Sequence, residues 1–291
     1  MNQIAANSDR VIPGPGAVSI TPRNIRFVKA LPKAATWLGG DLTASSVFNS
    51  MSLVFPEAER LLIDAVRAYK PVLEGPLLED ANNFIAQEAI HSREHVSLNK
   101  MMDPTHYPVK KIRELIRKDH AKDAARGALM LVATASALEH FTAMLGDTLL
   151  RNVDIFADSP EDVRRLWLWH AIEETEHKAV IFDVFSAVAK DMPAWRRYMT
   201  RLKVMILATI EITKELVWYS ALLLHADGMS KPKSLWNVLW FLFGKPGFIR
   251  VSMKGYWKWY RPGFHPWQHD NRALVGDILA ELNEEKAFAT L

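Results

Sequence analysis

The sequence predicts an all-α protein: a four-helix bundle carrying additional C-terminal helices. Three observations predict it. Apolar residues recur at three- and four-residue spacing over most of the chain. Alternating strand patterns bounded by hairpin turns are nearly absent. Two Glu-x-x-His pairs, Glu88-Ala-Ile-His91 and Glu174-Thr-Glu-His177, fall in separate helical stretches. With 291 residues, 49% of them hydrophobic, the chain can bury a sizeable core.

Residues 1–22 contain Pro13, Gly14, Pro15 and Gly16 without an apolar run, and read as a flexible N-terminal arm rather than a signal peptide. Residues 23–291 read as a single helical domain ending in an aromatic-rich helical extension. The first helix is expected after Pro56, running to about Tyr69, with Leu62, Ile63, Val66 and Tyr69 as its apolar stripe. Glu59 falls on that stripe and Glu57 is rotated away. After Glu74-Gly75-Pro76 a second helix runs from about Leu77 to Met101. The third ligand-bearing helix runs from about Asp119 to Leu150, preceded by a short helix or an extension over 108–118. Ser159-Pro160-Glu161-Asp162 marks the start of a fourth helix, with serine as N-cap, proline at the first helical position and acids in the first turn. It is expected to continue to about Lys190.

Pro193 opens a fifth helix to about Leu224, and Leu235 to Phe243 form another. Val204 to Leu224 is long enough to span a bilayer but contains Glu211, Lys214 and Glu215. Each such charge costs about 2.5–3.5 kcal/mol at a membrane centre, which favours a buried bundle helix. The tail holds Tyr256-Trp257-Lys258-Trp259-Tyr260 and Pro262-Gly263-Phe264-His265-Pro266-Trp267, read as core or a cover over the bundle, with a membrane surface or apolar substrate as the other use of its Lys and Trp. A final short helix begins near Asn271.

Each Glu-x-x-His pair is preceded by a helix carrying a lone inward Glu, Glu59 and Glu139. This order is the ligand plan of a carboxylate-bridged two-metal site in a four-helix bundle. His170, Glu174 and His177 lie at about 0°, 40° and −20° around one helix axis, a single narrow face. Glu88, His91 and His95 share a face of the second helix. Four glutamates pointing into one core repel one another unless cations lie between them. The expected ligands are Glu59, Glu88, His91, Glu139, His170, Glu174 and His177. His95, His140 and Glu173 are expected beside the ligands, supporting them through hydrogen bonds.

Composition removes several alternatives. There are no cysteines, so disulfides, thiolate sites and cysteine nucleophiles are excluded. The 36 basic residues nearly balance 33 acidic ones, a net charge of +3 that gives no argument for nucleic acid. No Gly-rich phosphate loop, Gly-x-Ser-x-Gly elbow or His-Glu-x-x-His pattern is present.

At these residues the chain resembles the bacterial family described as predicted metal-dependent hydrolase, which groups with ferritin-like proteins. The resemblance runs through Ile20-Thr21-Pro22-Arg23-Asn24-Ile25-Arg26-Phe27, Phe55-Pro56-Glu57-Ala58-Glu59, Gln87-Glu88-Ala89-Ile90-His91, Leu138-Glu139-His140-Phe141, His170 to His177, and Pro262 to Trp267. Ala58 stands where the family more often has Gly, which leaves Glu57 beside Glu59 as a candidate first-helix ligand. The ligand order also resembles that of di-iron arylamine N-oxygenases, in which a third histidine precedes the last Glu-x-x-His by one turn. His170 matches that extra ligand.

The leading expectation is therefore a ferritin-like di-iron enzyme that activates dioxygen to oxidise a small apolar or aromatic molecule. Manganese or a mixed Mn/Fe pair is the alternative cofactor, and electrons come from an external donor. The same site as a binuclear hydrolase of an ester, amide or phosphoester is the alternative reading. A non-enzymatic, membrane-associated helical binding protein is the third. A cytoplasmic location is expected, with peripheral membrane contact and a homodimer left open.

Overall fold

Asp41 begins the first helix, its carboxylate accepting from the amides of Thr43 and Ala44. The computed structural model describes residues 12–14 and 16–284. Helix α1 spans Leu42–Arg67, so it starts well before the expected position after Pro56, which lies inside it. A proline within a helix lacks the N–H that would bond the carbonyl four residues earlier. Here that carbonyl belongs to Ser52, and Asn99 Nδ2 donates to it at 2.7 Å. The side chain of Asn99 thus replaces the bond that Pro56 cannot make.

Helix α2 covers Gly75–Leu98, α3 Val109–Ala124 and α4 Ala128–Leu150. The single helix expected over 119–150 is thus two helices. Gly127, at φ 90°, turns the chain between them in a conformation that L side chains rarely adopt. Helix α5 covers Glu161–His177 and α6 Val180–Val188, so the expected fourth helix is also broken, at Lys178-Ala179. There the Lys178 ammonium leaves the bundle axis to donate to His269 O and Asn271 Oδ1, both at 2.6 Å. Ser159 makes no capping bond; Pro160 occupies the cap position, and its carbonyl accepts from Val163 and Arg164. Helices α7 (Ala194–Ala226), α8 (Lys231–Phe243), α9 (Phe248–Tyr256) and α10 (Arg272–Glu284) complete the described residues. The described residues contain no strand.

The bundle consists of α1 packed on α2 and α4 packed on α5 and α6, with α1 against α4 and α2 against α5. Helix α7 lies across α1 and α4, and α8 and α9 follow on the same side, resting on α1 and α4 respectively. Among the described residues one helix, α4, is long and apolar enough to cross a membrane, but 72% of that stretch is buried inside the bundle. The aromatic tail is mostly a cover: Tyr256, Trp259, Phe264 and Trp267 are buried, and Trp257 is exposed.

Of the expected N-terminal arm, residues 1–11 and 15 lie outside the described residues. From Gly16 onward the chain is tied down. The Gly16 amide donates to Asp80 at 2.6 Å, Ile20 is buried, and the Phe27 amide donates to the buried Glu94. This strap crosses α2 and α5 next to the Glu-x-x-His motifs.

The compensation at Pro56 carries a measurable consequence. Asn99→Ala leaves the buried Ser52 carbonyl and hydroxyl without their partner, and costs about 1–3 kcal/mol in urea denaturation. An unchanged midpoint would show that water replaces the amide there.

Candidate metal centre

The seven side chains expected as ligands come together in the bundle core. Glu59 comes from α1, Glu88 and His91 from α2, Glu139 from α4, and His170, Glu174 and His177 from α5; none is more than 4% exposed. Glu88, His91, Glu174 and His177 each offer one ligand atom, and those atoms lie within 4.8 Å of one another. Glu59, His95 and His170 form a second such group. Glu174 joins the two, because its Oε1 is 3.1 Å from His170 Nε2 and 3.8 Å from His91 Nδ1. Glu139 reaches the cluster through His177, with Oε1 2.6 Å from Nδ1.

Placement decides between the two glutamates of α1. Glu59 is buried in the core, whereas Glu57 points outward and accepts from Arg117 Nε at 2.7 Å. Of the expected supporting residues, Glu173 and His95 meet the ligands and His140 does not. Glu173 Oε2 is 3.2 Å from His91 Nε2, while its other oxygen accepts from Trp169 Nε1 and Arg23 Nη1. With Nε2 so engaged, His91 turns Nδ1 toward Glu88 and Glu174. His140 projects from the opposite side of α4, under the C-terminal cover, with its ring 5.1 Å from those of both Trp259 and Phe264.

His95 belongs to a hydrogen-bonded relay whose protons can be counted. Asn99 turns its NH2 to the Ser52 carbonyl, so its Oδ1 accepts from the Ser52 hydroxyl at 2.8 Å. The single Ser52 proton is then used, and at 2.9 Å the Ser52 oxygen must accept from His95 Nδ1. Burial, reinforced by His170 and His91, holds the His95 pKa well below the usual imidazole range and keeps the ring neutral. Its Nε2 therefore accepts from His170 Nδ1 at 2.8 Å. His170 is left facing Glu174 with Nε2, and the Phe55 ring packs 4.8 Å from its own. Two acceptors meet there unless a proton or a metal ion lies between them.

The electrostatics make the same demand. Burial raises Glu59 and Glu88 well above the usual carboxylate range, and the neighbouring carboxylates add to it. Burial also raises Glu139, to about 7. Glu174 behaves differently: burial opposes its ionisation, but the hydrogen bond from His170 and the charges of His177, His170 and His91 bring it down to about 2. Burial would lower His177, yet the carboxylates of Glu139, Glu174 and Glu173 outweigh it and raise it to about 9.

The donor set fits metal. Both oxygens of Glu59 and of Glu88, one oxygen each of Glu139 and Glu174, His91 Nδ1 and His177 Nε2 are buried without a hydrogen-bond partner. His177 Nε2 comes within 3.2 Å of Glu88 Oε1 without hydrogen-bond alignment. Inward-facing acceptors left unpaired at this density cost several kcal/mol each unless a cation collects them. The seven side chains can hold a two-metal site. An apolar cavity opens onto it, floored by Glu59, His170 and Glu174 and walled by Phe55, Phe141, Leu145 and Leu216. Its remaining polar groups include Asp123, Glu211 and Glu215 from α3 and α7.

The family profile described as "Predicted metal-dependent hydrolase" matches residues 21–270. The chain belongs to this family. No curated protein and no solved structure matched the chain. The family's span includes the whole bundle site and begins at the strap that holds Glu173. Arg23, Trp169 and Ser52 are functional neighbours that periodicity alone does not find. Arg23 does stand within the sequence block by which the family resemblance is carried.

The metal-free protein has a defined pH signature. His177, raised to about 9, binds more protons folded than unfolded as pH climbs from 7, and Glu59 and Glu88 are shifted in the same direction. The site's own share of stability therefore falls with rising pH over pH 7 to 9, while Lys178, which burial lowers to about 7, contributes in the opposite direction. Metal must displace the protons held by the site, so the gain in Tm when a divalent metal is added to chelator-treated protein should grow with pH. A pH-independent gain would contradict the assignment.

Proposed function

We propose that the protein is a two-metal hydrolase acting on a substrate with an apolar body. The observation that carries this reading is the row of unpaired buried donors, Glu59 and Glu174 among them, on the floor of an apolar cavity. Membership of a family described as metal-dependent hydrolases supports hydrolysis over other metal chemistry. Glu59, Glu88, His91, Glu139, His170, Glu174 and His177 would hold the metals. A bound metal pair supplies Lewis acidity and acidifies water.

The protein's own residues supply the rest. The Ser52–His95–His170 relay fixes the direction in which the His170 lone pair points. Glu173, clamped by Arg23 and Trp169, does the same for His91. Phe55, Phe141, Leu145 and Leu216 exclude bulk water and hold an apolar substrate body. Glu59 lies on the cavity floor with both oxygens buried and unpaired, so a metal it helps to hold would face the substrate side of the cavity.

A second reading rests on the donor chemistry. Three histidines with four glutamates suit iron or manganese, and the apolar walls of the cavity suit oxidation of an apolar or aromatic molecule by activated dioxygen. That reaction would need an external electron donor.

The two readings separate in one assay on metal-loaded protein with aryl and alkyl esters of graded chain length, run under argon and in air. Hydrolysis under argon that favours longer apolar chains, and that falls at least about 100-fold in Glu59→Ala together with loss of bound metal, is the expected result. No turnover under argon, with oxygen consumption by the reduced iron-loaded protein, would replace hydrolysis with oxidation.

A further inference from the structure

We propose that the outer face of α7 and α8 docks the protein onto an anionic phospholipid bilayer. In α8 the solvent-facing positions after Lys233 are Leu235, Trp236, Leu239, Trp240 and Phe243, exposed by 38–64%. The opposite face, with Ser234, Val238, Phe241 and Leu242, is buried against the bundle. A surface helix ordinarily turns polar residues to water; this one is apolar on both sides. Trp236 and Trp240 stack on each other with ring centroids 6.1 Å apart, forming an outward aromatic ledge.

The face extends onto the neighbouring helix. Helix α7 exposes Ile206 (50%), Ile210 (62%) and Trp218 (55%). It packs against α8, and both rest on α1, so their outer faces lie on one side of the bundle. Isolated exposed apolar residues need no explanation, but a set of this size on two helices packed together marks a binding surface.

Charge selects the occupant. Between residues 228 and 268 the chain has seven Lys and Arg and no Asp or Glu. Lys231 and Lys233 are exposed at one end of α8, and Lys245 and Arg250 just beyond the other. Lys203 is exposed on α7 beside Ile206. A protein partner or a second copy would leave this one-sided charge unanswered unless it brought matching acids, and in a second copy the same segment has none to offer. An anionic bilayer answers all of it at once: tryptophan and leucine enter the interface while the lysine ammonium groups meet the headgroups. The aromatic tail, by contrast, is buried apart from Trp257 and takes little part in this surface.

The test is co-sedimentation of the full chain with vesicles of phosphatidylserine and phosphatidylcholine in a one-to-two ratio, compared with phosphatidylcholine alone. Binding is expected to the anionic vesicles, to weaken as salt is raised, and to fall roughly 5-fold for each of Lys231→Ser and Lys233→Ser. Trp236→Ser with Trp240→Ser should abolish it while the helical circular dichroism spectrum stays unchanged, since both side chains already face water. The proposal is overturned if wild-type protein ignores the anionic vesicles. It is equally overturned if both vesicle types bind alike, or if sedimentation velocity shows a dimer that the tryptophan substitutions dissolve and that does not bind lipid.

Discussion

Everything at the centre of this protein depends on the burial of Glu59, Glu88, Glu139 and Glu174 in one helical core. Four carboxylates in a low-dielectric interior raise one another's pKa values, as burial raises those of Glu59, Glu88 and Glu139. A stable bundle that retains such groups must have a compensating charge in its working state. His177 provides part of it by pairing with Glu139 at 2.6 Å. Both oxygens of Glu59 and of Glu88, Oε2 of Glu139 and of Glu174, His91 Nδ1 and His177 Nε2 have no hydrogen-bond partner among the described residues. Divalent cations answer that deficit with the donor types at hand, imidazole nitrogen and carboxylate oxygen.

The surrounding structure fixes where those donors point. Pro56 interrupts the hydrogen-bond ladder of α1, Asn99 fills the gap, and the resulting proton order passes through Ser52 and His95 to His170. On the other side Arg23 and Trp169 hold Glu173, which turns His91. Two relays anchored in different parts of the chain thus orient two histidines toward the same carboxylate, Glu174. The helix break after His177 serves a related end, because Lys178 ties α5 to the C-terminal cover through His269 and Asn271.

The bundle and its inward glutamates were legible in the sequence because a helix repeats every 3.6 residues, which puts Glu88 with His91 and His170 with Glu174 and His177 on single faces. The start of α1 was not. Residues 42–55 carry Ser45, Ser46, Asn49, Ser50 and Ser52, which read as a polar stretch, but Ser50, Asn49 and Ser52 are buried against Ser220, Trp37 and His95 and bond to them. Pro56 then reads as a helix start when it is an interior proline. The break at Gly127 depends on a positive φ that helical periodicity does not reveal. His140 was misplaced because its neighbour Glu139 faces the core; one residue on, the side chain points about 100° away. The relay through Ser52 and Asn99 is a contact 47 residues apart in sequence, invisible to local pattern.

The most direct measurement of the central claim is the metal content of the purified chain by elemental analysis, alongside Glu88→Ala and Glu174→Ala. Two transition-metal ions per wild-type chain, with at least one lost in each variant while the helical fold is kept, is the result the carboxylate argument requires. Wild-type protein that stays folded near neutral pH and binds no metal when supplied with iron, manganese or zinc would contradict it, because the buried glutamates would then be compensated by protons alone.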